Sequence, residues 1–172
     1  MAESDKAVFR IVIDGSMEAI FQELTKTGSP QGAVFNSMLT LGTPGLTAGK
    51  KLQMRTVSGA HAMVVGEVVD IEPPSRFAHT HRFTQHMDPE CTVIYDLKKV
   101  QGGVEVTLTV ENVTAGTKTA AEMQRGGMFI LNNLKAIVET GRPPVGTRLM
   151  YSMFGALEFV LPKKTKSERW PL

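Results

Sequence analysis

The chain has 172 residues, of which 42% are hydrophobic and 21% charged, with a formal net charge of +2. This composition is typical of a globular protein and excludes a disordered chain, and the small net charge does not indicate a nucleic-acid partner. We expect neither a signal peptide nor a transmembrane segment, because the first residues are acidic and no apolar run is long enough. Cys91 is the single cysteine, which rules out an intramolecular disulfide and favours a cytoplasmic location.

The chain begins with a predicted strand and a short helix. Residues 7–14 (AVFRIVID) are rich in β-branched side chains, which favours a strand. Ser16 is a suitable N-cap for a helix over residues 17–25, in which apolar side chains recur on one side. Turn-forming residues follow at 27–32, and residues 33–41 predict a second strand.

Five further strands are predicted between residues 50 and 113. Short connections of the hairpin type separate them, so the sheet should be an antiparallel meander. Side chains on these strands alternate between an apolar and a polar face, and a sheet with one apolar face needs a second layer to cover it. The predicted strands cover residues 50–57, 60–71, 76–84, 91–100 and 104–113.

A long helix predicted over residues 117–140 supplies the cover. Apolar or small residues recur every three or four positions, which is the spacing of one helical face. Thr119 and Glu122 have the spacing of a capping box, and Gly141 followed by two prolines indicates the end of the helix. We therefore predict an α+β helix-grip fold, a curved antiparallel sheet of about seven strands around a long C-terminal helix, with a short helical pair after the first strand.

The residues beyond the long helix predict an extension of this domain. We place the helix-grip domain at residues 1–144 and a C-terminal extension at 145–172. The apolar stretch at 149–161 predicts a further short helix, and a basic run follows it. Three roles are open for the extension, namely packing on its own domain, contact in a dimer, or contact with a membrane surface. A dimer contact would use Met150, Met153, Phe154 and Phe159.

Several blocks of the sequence together resemble the SRPBCC superfamily, whose members have START-like folds. The blocks are IDGSMEAIFQELT at residues 13–25, GEVVDIEPPSRFAHTH at 66–81, the strand pair through Val93 and Leu108, and GGMFILNNLKAIVETG at 126–141. Within the superfamily they are similar to the family named after the activator of the ninety-kilodalton heat-shock chaperone's ATPase. The resemblance implies a cavity between sheet and helix. It also implies three functions, which are binding of a hydrophobic small molecule, a co-chaperone role with a chaperone as partner, and a cyclase-like or hydrolase-like enzyme using pocket histidines.

The candidate site is the apolar face of the sheet opposite the long helix. His79 and His81 alternate with Phe77 along one predicted strand, so both imidazoles point to the same side. Two histidines at this spacing can bind a metal, with His61 or Cys91 on neighbouring strands as further candidate ligands. No acidic residue shares the face at a suitable spacing, and we predict neither a metal nor a cofactor. Neutral imidazoles that orient a ligand are the preferred interpretation.

The predicted ligand-binding residues share this sheet face or the helix surface opposite it. They are Leu52, Met54, Phe77, His79, His81, Val93, Tyr95, Val106, Leu108, Met128 and Leu131. Gly126 and Gly127, inside the helix, either permit a close approach to the sheet or leave room for a ligand. The sequence contains no nucleophile elbow or phosphate-binding loop, and we predict no catalytic residue. The leading hypothesis is a monomeric or homodimeric binding protein for an apolar or aromatic small molecule.

Overall fold

A computed structural model describes residues 4–172 and confirms the α+β helix-grip fold. Residues 1–3 of the predicted domain lie outside the described residues. Three short 3₁₀ helices, at Glu158–Val160, Lys163–Thr165 and Ser167–Arg169, follow the last α-helix. The strands and helices are β1 (Ser4–Ile13), α1 (Met17–Thr25), β2 (Met38–Leu41), β3 (Lys51–Arg55), β4 (Ala62–Glu72), β5 (Arg76–Phe83), β6 (Cys91–Val100), β7 (Gly103–Thr114), α2 (Lys118–Thr140) and α3 (Val145–Ala156).

The seven strands form one antiparallel sheet in the order β1-β7-β6-β5-β4-β3-β2. The predicted meander is therefore confirmed from β2 to β7, and β1 pairs with β7 at the far edge. This order makes β5 the central strand. The register sets Phe77 opposite Tyr95 and His79 opposite Val93, and Tyr95 in turn opposite Leu108. Directly opposite residues share a face, so these side chains form one continuous concave surface.

Two local predictions near the start of the chain are wrong. Only the last part of the predicted strand at 33–41 pairs as β2, because Phe35 and Asn36 adopt left-handed backbone conformations with φ of 53° and 55°. The segment between β1 and β2 contains a single α-helix, α1, in place of the expected helical pair. Its predicted cap is confirmed, since the Ser16 hydroxyl oxygen accepts a hydrogen bond of 3.1 Å from a backbone N–H three residues on.

The predicted capping box of α2 is also wrong. Thr117 caps the helix, and its hydroxyl oxygen accepts a hydrogen bond of 3.1 Å from the backbone N–H three residues on. The backbone N–H and the hydroxyl of Thr119 both donate to the Asp88 carboxylate, each at 2.9 Å. Glu122 contacts Nε2 of His86 at 2.9 Å. Both members of the predicted box thus bind the β5–β6 loop, and that loop fixes the start of α2.

The middle of α2 approaches β1 closely because Gly127 has no side chain. A Cβ atom built on Gly127 would overlap the ring of Phe9 from β1. Gly126 is different, because a Cβ atom there would lie 3.6 Å from the Phe35 ring, an ordinary contact distance. Of the two roles open for this glycine pair, close approach to the sheet is therefore the role of Gly127. Leu131 and Leu134 continue the buried side of the helix.

The end of α2 is held to the end of β1 by two hydrogen bonds. The Lys135 ammonium group donates to the Val12 carbonyl at 2.7 Å, and the Glu139 carboxylate accepts from the Asp14 backbone N–H at 3.0 Å. Gly141 ends the helix in the left-handed conformation with φ of 88°, as predicted. The helix is therefore held by the β5–β6 loop at its start and by β1 at its middle and end.

The C-terminal extension contacts the helix-grip domain at both of its ends. The Tyr151 hydroxyl of α3 donates to the Gly32 carbonyl at 2.8 Å. Near the chain end, the Gln53 amide of β3 donates to the Trp170 carbonyl at 2.6 Å. The division of the chain at residue 144 stays a prediction. None of the helices in residues 4–172 combines the length and the hydropathy that crossing a membrane requires.

Replacing Gly127 with alanine should lower the free energy of unfolding by about 1–3 kcal/mol, because the added methyl group overlaps the Phe9 ring. Gly126→Ala is the matched control. Its methyl group meets only an ordinary contact, and the higher helix propensity of alanine should leave stability unchanged or raise it by up to about 1 kcal/mol. Urea unfolding of both variants measures the difference. Equal losses in the two variants would contradict a close approach specific to Gly127.

Candidate functional site

The central strand β5 presents a row of aromatic rings to the concave face. The ring centroids of Phe77 and His79 are 5.2 Å apart, and those of His79 and His81 are 5.8 Å apart. Phe83 continues the row, with its ring edge-on to His81 at 4.8 Å. Phe77, His79 and His81 are all buried. Period-two alternation on a central strand thus places two imidazoles in an otherwise apolar row.

The hydrogen bonds of His79 define its protonation. Its Nδ1 lies 2.8 Å from the Thr80 carbonyl oxygen, which only accepts, so Nδ1 carries the proton and Nε2 carries a lone pair. Nε2 of His79 has no hydrogen-bond partner among the described residues, and neither ring nitrogen of His81 has one. Buried polar atoms are nearly always paired in proteins. Three neighbouring nitrogens without a protein partner are therefore an exception to this rule, concentrated on one strand of the concave face.

Burial also keeps both imidazoles uncharged. Loss of hydration lowers the pKa of His79 to about 4, against a smaller opposing effect of its bond to the Thr80 carbonyl. Loss of hydration, together with the neighbouring His79, lowers the pKa of His81 to about 3. Within the described chain, the buried polar side chains are glutamine, histidine, threonine and asparagine, with no aspartate or glutamate. The face therefore offers hydrogen-bonding groups without a formal charge.

Most of the predicted ligand-binding residues lie in the main hydrophobic core. Burial raises the pKa of the Tyr95 phenol above its ordinary range, so the hydroxyl stays protonated at neutral pH. The predicted residues that belong to this one buried cluster are Leu52, Met54, Phe77, Val93, Tyr95, Val106, Leu108 and Leu131. The structure thus brings these side chains together on the concave side, beside the two histidines.

Met128 does not join this group, because it is 38% exposed. One residue along an α-helix corresponds to a rotation of about 100°, so Met128 points well away from the side of α2 on which Gly127 meets the sheet. Val68 was missed by the sequence analysis, although it lies directly opposite His79 on β4. Only the strand register identifies Val68, and the sequence contains no signal for that register.

The other two candidate metal ligands have separate roles. Nδ1 of His61 lies 2.8 Å from the Thr165 hydroxyl in the C-terminal extension. Cys91 is directly opposite His81, and its thiol donates to the His81 carbonyl at 3.5 Å. Burial raises the pKa of this thiol to about 11, so it is a poor nucleophile at neutral pH. In residues 4–172, no three histidine, cysteine, aspartate or glutamate side chains form a group that could hold a metal ion.

Two surface clefts lie outside the concave interior. One, of about 490 Å³, lies beside α1 and the turn between α2 and α3, where Lys26, Arg148 and Tyr151 contribute to its walls. The other, of about 640 Å³, lies between strands β3 to β5 and the chain end, and Leu52 is the one predicted ligand-binding residue that lines it. Neither cleft includes His79 or His81. The three unpaired nitrogens of His79 and His81 are buried and open into neither of these clefts.

Comparison with known proteins identifies relatives of this fold. The family model described as "Activator of Hsp90 ATPase homolog 1-like protein" matches residues 10–139. No curated protein matches the chain.

Three similar solved structures share this fold. The Aha1 dimer from Colwellia psychrerythraea is 20% identical, with a TM-score of 0.62 over 80% of this chain and 98% of that one. An AHSA1-like protein from Aeromonas hydrophila is 21% identical, with a TM-score of 0.59 over 80% and 94% of the two chains. CalU16 from Micromonospora echinospora is 16% identical, with a TM-score of 0.64 over 89% and 85%. At these identities the likeness establishes the fold alone.

Stability should fall as the pH is lowered from about 6.5 towards 4. In the unfolded chain both imidazoles take up protons near pH 6.5, whereas in the fold His79 does so near pH 4 and His81 near pH 3. The unfolded state therefore binds more protons in this range. The free energy of unfolding should fall by up to about 1.4 kcal/mol per pH unit for each histidine, and these two groups should cause no change above pH 7.5.

Urea unfolding between pH 4 and 7.5 measures this dependence, with a His79→Phe/His81→Phe variant as the reference. Carboxylates and other histidines titrate in both proteins, so the difference between the two slopes isolates the buried pair. We expect a shallower slope in the variant. Equal slopes would contradict the assignment of two uncharged, dehydrated imidazoles.

Proposed function

The chain belongs to the family of Activator of Hsp90 ATPase homolog 1-like proteins, and on that premise we propose that its concave interior binds a small, neutral, largely apolar molecule. The observation that carries the proposal is the group of three buried nitrogens on His79 and His81 that lack a protein partner. A buried polar atom without a partner destabilises a protein by about 1–3 kcal/mol. A ligand that pairs with these nitrogens would remove that penalty.

The two histidines define the chemistry of the ligand. Nε2 of His79 carries a lone pair, so the ligand must donate a hydrogen bond to it, as a hydroxyl, a phenol or an amide N–H does. Neutral His81 has one donor and one acceptor nitrogen and can bind a hydroxyl or carbonyl oxygen of the same ligand. The neighbouring Phe77, Val93 and Tyr95 side chains favour a ring or an alkyl group beside this polar end.

Charged ligands fit this interior poorly. A carboxylate would meet two uncharged imidazoles with no buried cation in place to balance it, and an ammonium group would meet no buried carboxylate in the described part of the chain. The ligand class that remains is a neutral alcohol or phenol with an apolar body. We retain the cytoplasm as the proposed location, because the buried Cys91 thiol is free.

The family description favours one alternative, a module that acts on a chaperone ATPase. Adding the purified protein to a purified Hsp90-type chaperone and measuring ATP hydrolysis tests this role directly. Stimulation that persists in a His79→Phe/His81→Phe variant would support the alternative and assign it to surfaces outside the concave interior. An enzyme is less well supported, because imidazoles with pKa values near 4 and 3 are weak bases at pH 7.

Native mass spectrometry of freshly purified protein should detect a bound small molecule, and His81→Phe should abolish its retention. The same substitution should raise the free energy of unfolding of the ligand-free protein by about 1–2 kcal/mol, because it removes two unpaired buried nitrogens from an aromatic row. Urea unfolding after ligand removal measures the second effect.

His61→Phe is the matched control, because the His61 ring is paired with Thr165. It should lower stability by about 1 kcal/mol and leave ligand retention unchanged. Unchanged retention in the His81→Phe variant would overturn the proposed binding site. A loss of stability in that variant as large as the loss in His61→Phe would contradict the claim that the His81 nitrogens are unpaired.

A further inference from the structure

Helix α3 exposes apolar side chains on its solvent side. Tyr151 faces the domain, where its hydroxyl donates to the Gly32 carbonyl. The opposite side of the helix carries Val145, Leu149 and Met153 at intervals of four residues, and Leu149 is 68% exposed. A helix on a protein surface normally has polar side chains there. α3 therefore has an apolar side that no part of the described chain covers.

The 3₁₀ helix after α3 extends this apolar side. The Glu158 carboxylate accepts hydrogen bonds from the Thr56 and Ser58 hydroxyls at 2.6 and 2.5 Å, which turns Glu158 towards the β3–β4 hairpin. Phe159 and Val160 are consequently exposed, and Phe159 is 82% exposed. A phenyl ring exposed to this extent loses little contact with water on folding and adds little to the hydrophobic core.

These side chains together form what we call the C-terminal apolar surface. Contiguous exposed apolar residues on a soluble domain mark a site of interaction. The surface lies beyond residue 139, where the match to the family model ends, so it belongs to this chain's own extension. Its members are Val145, Leu149, Met153, Phe154, Leu157, Phe159 and Val160.

The extension that carries the C-terminal apolar surface is basic. The extension has only two acidic residues, and one of them, Glu158, is turned towards the domain. In the 3₁₀ helix that follows, Thr165 is buried against His61. With three residues per turn, the two preceding lysines then point to solvent. The basic residues of the extension are Arg148, Lys163, Lys164, Lys166 and Arg169.

We propose that the C-terminal apolar surface docks on the anionic surface of a lipid bilayer. Phe159 and the outward side of α3 enter the headgroup region, and the lysines contact anionic headgroups. The net positive charge of the extension favours an anionic lipid surface over a second copy of the chain. A contact between two copies would bring two net-basic extensions together, and these repel each other, whereas anionic headgroups attract them. With 12 residues, α3 is long enough to lie in the interface and too short to cross it.

Flotation of the full chain with vesicles tests this proposal, which does not depend on ligand binding in the concave interior. The protein should float with vesicles of phosphatidylcholine mixed with phosphatidylglycerol, much less with phosphatidylcholine alone, and less at high salt. Leu149→Ser/Phe159→Ser and Lys163→Gln/Lys164→Gln should each weaken binding at least about tenfold.

Met87→Ser is the matched control, since Met87 is an exposed apolar residue in the β5–β6 loop, away from this surface. It should bind vesicles as the unchanged protein does. Thermal unfolding verifies that each variant is folded. If a variant fails to fold, the salt and lipid dependence of the unchanged protein still tests the proposal. Equal binding to both lipid compositions would overturn the proposal. So would a failure to bind vesicles together with a dimer in solution that Leu149→Ser/Phe159→Ser dissociates. The second result would identify a second copy as the occupant.

Discussion

The contact between Gly127 and the Phe9 ring sets the distance between α2 and the sheet. Because Gly127 has no side chain, α2 lies directly against β1 and closes the concave face of the sheet. Closure removes water from the central strand, and this loss of hydration lowers the pKa values of His79 and His81. The chemistry of the interior thus depends on the covering of the sheet by α2, which this close approach holds at its middle and hydrogen bonds to neighbouring segments hold at both ends.

The buried histidines oppose the stability of the fold that contains them. Phe77 and Phe83 lie in the same row on β5, so an aromatic hydrocarbon ring at the two intervening positions would satisfy the packing without leaving polar atoms unpaired. Proteins depart from such local rules mainly at functional sites. The unpaired nitrogens therefore have a simple physical interpretation as a binding position for a neutral hydrogen-bonding molecule, and this is the basis of the proposed function.

The sequence predicted those features that depend on local patterns. Alternation located the strands and placed His79 and His81 on one face, and Gly141 located the end of α2. Features that depend on distant contacts were not predictable. Thr119 binds Asp88, which is 31 positions away in sequence, and this contact displaced the predicted capping box. Which histidine nitrogens find a hydrogen-bond partner depends on the register of three strands and on the position of the Thr80 carbonyl. Met128 was predicted to face the sheet, but it lies one residue further along the helix than the side that does.

Nitrogen-15 NMR of the histidine side chains at pH 7 distinguishes neutral from protonated imidazoles and identifies the nitrogen that carries the proton. We predict that His79 and His81 are both neutral in the ligand-free protein, and that His79 carries its proton on Nδ1 with Nε2 free to accept a hydrogen bond. Adding a neutral apolar phenol such as 4-propylphenol should then shift the Nε2 signal of His79. An imidazolium at either position at pH 7, or a His79 proton on Nε2, would be incompatible with a neutral histidine pair whose His79 Nε2 accepts a hydrogen bond from a ligand.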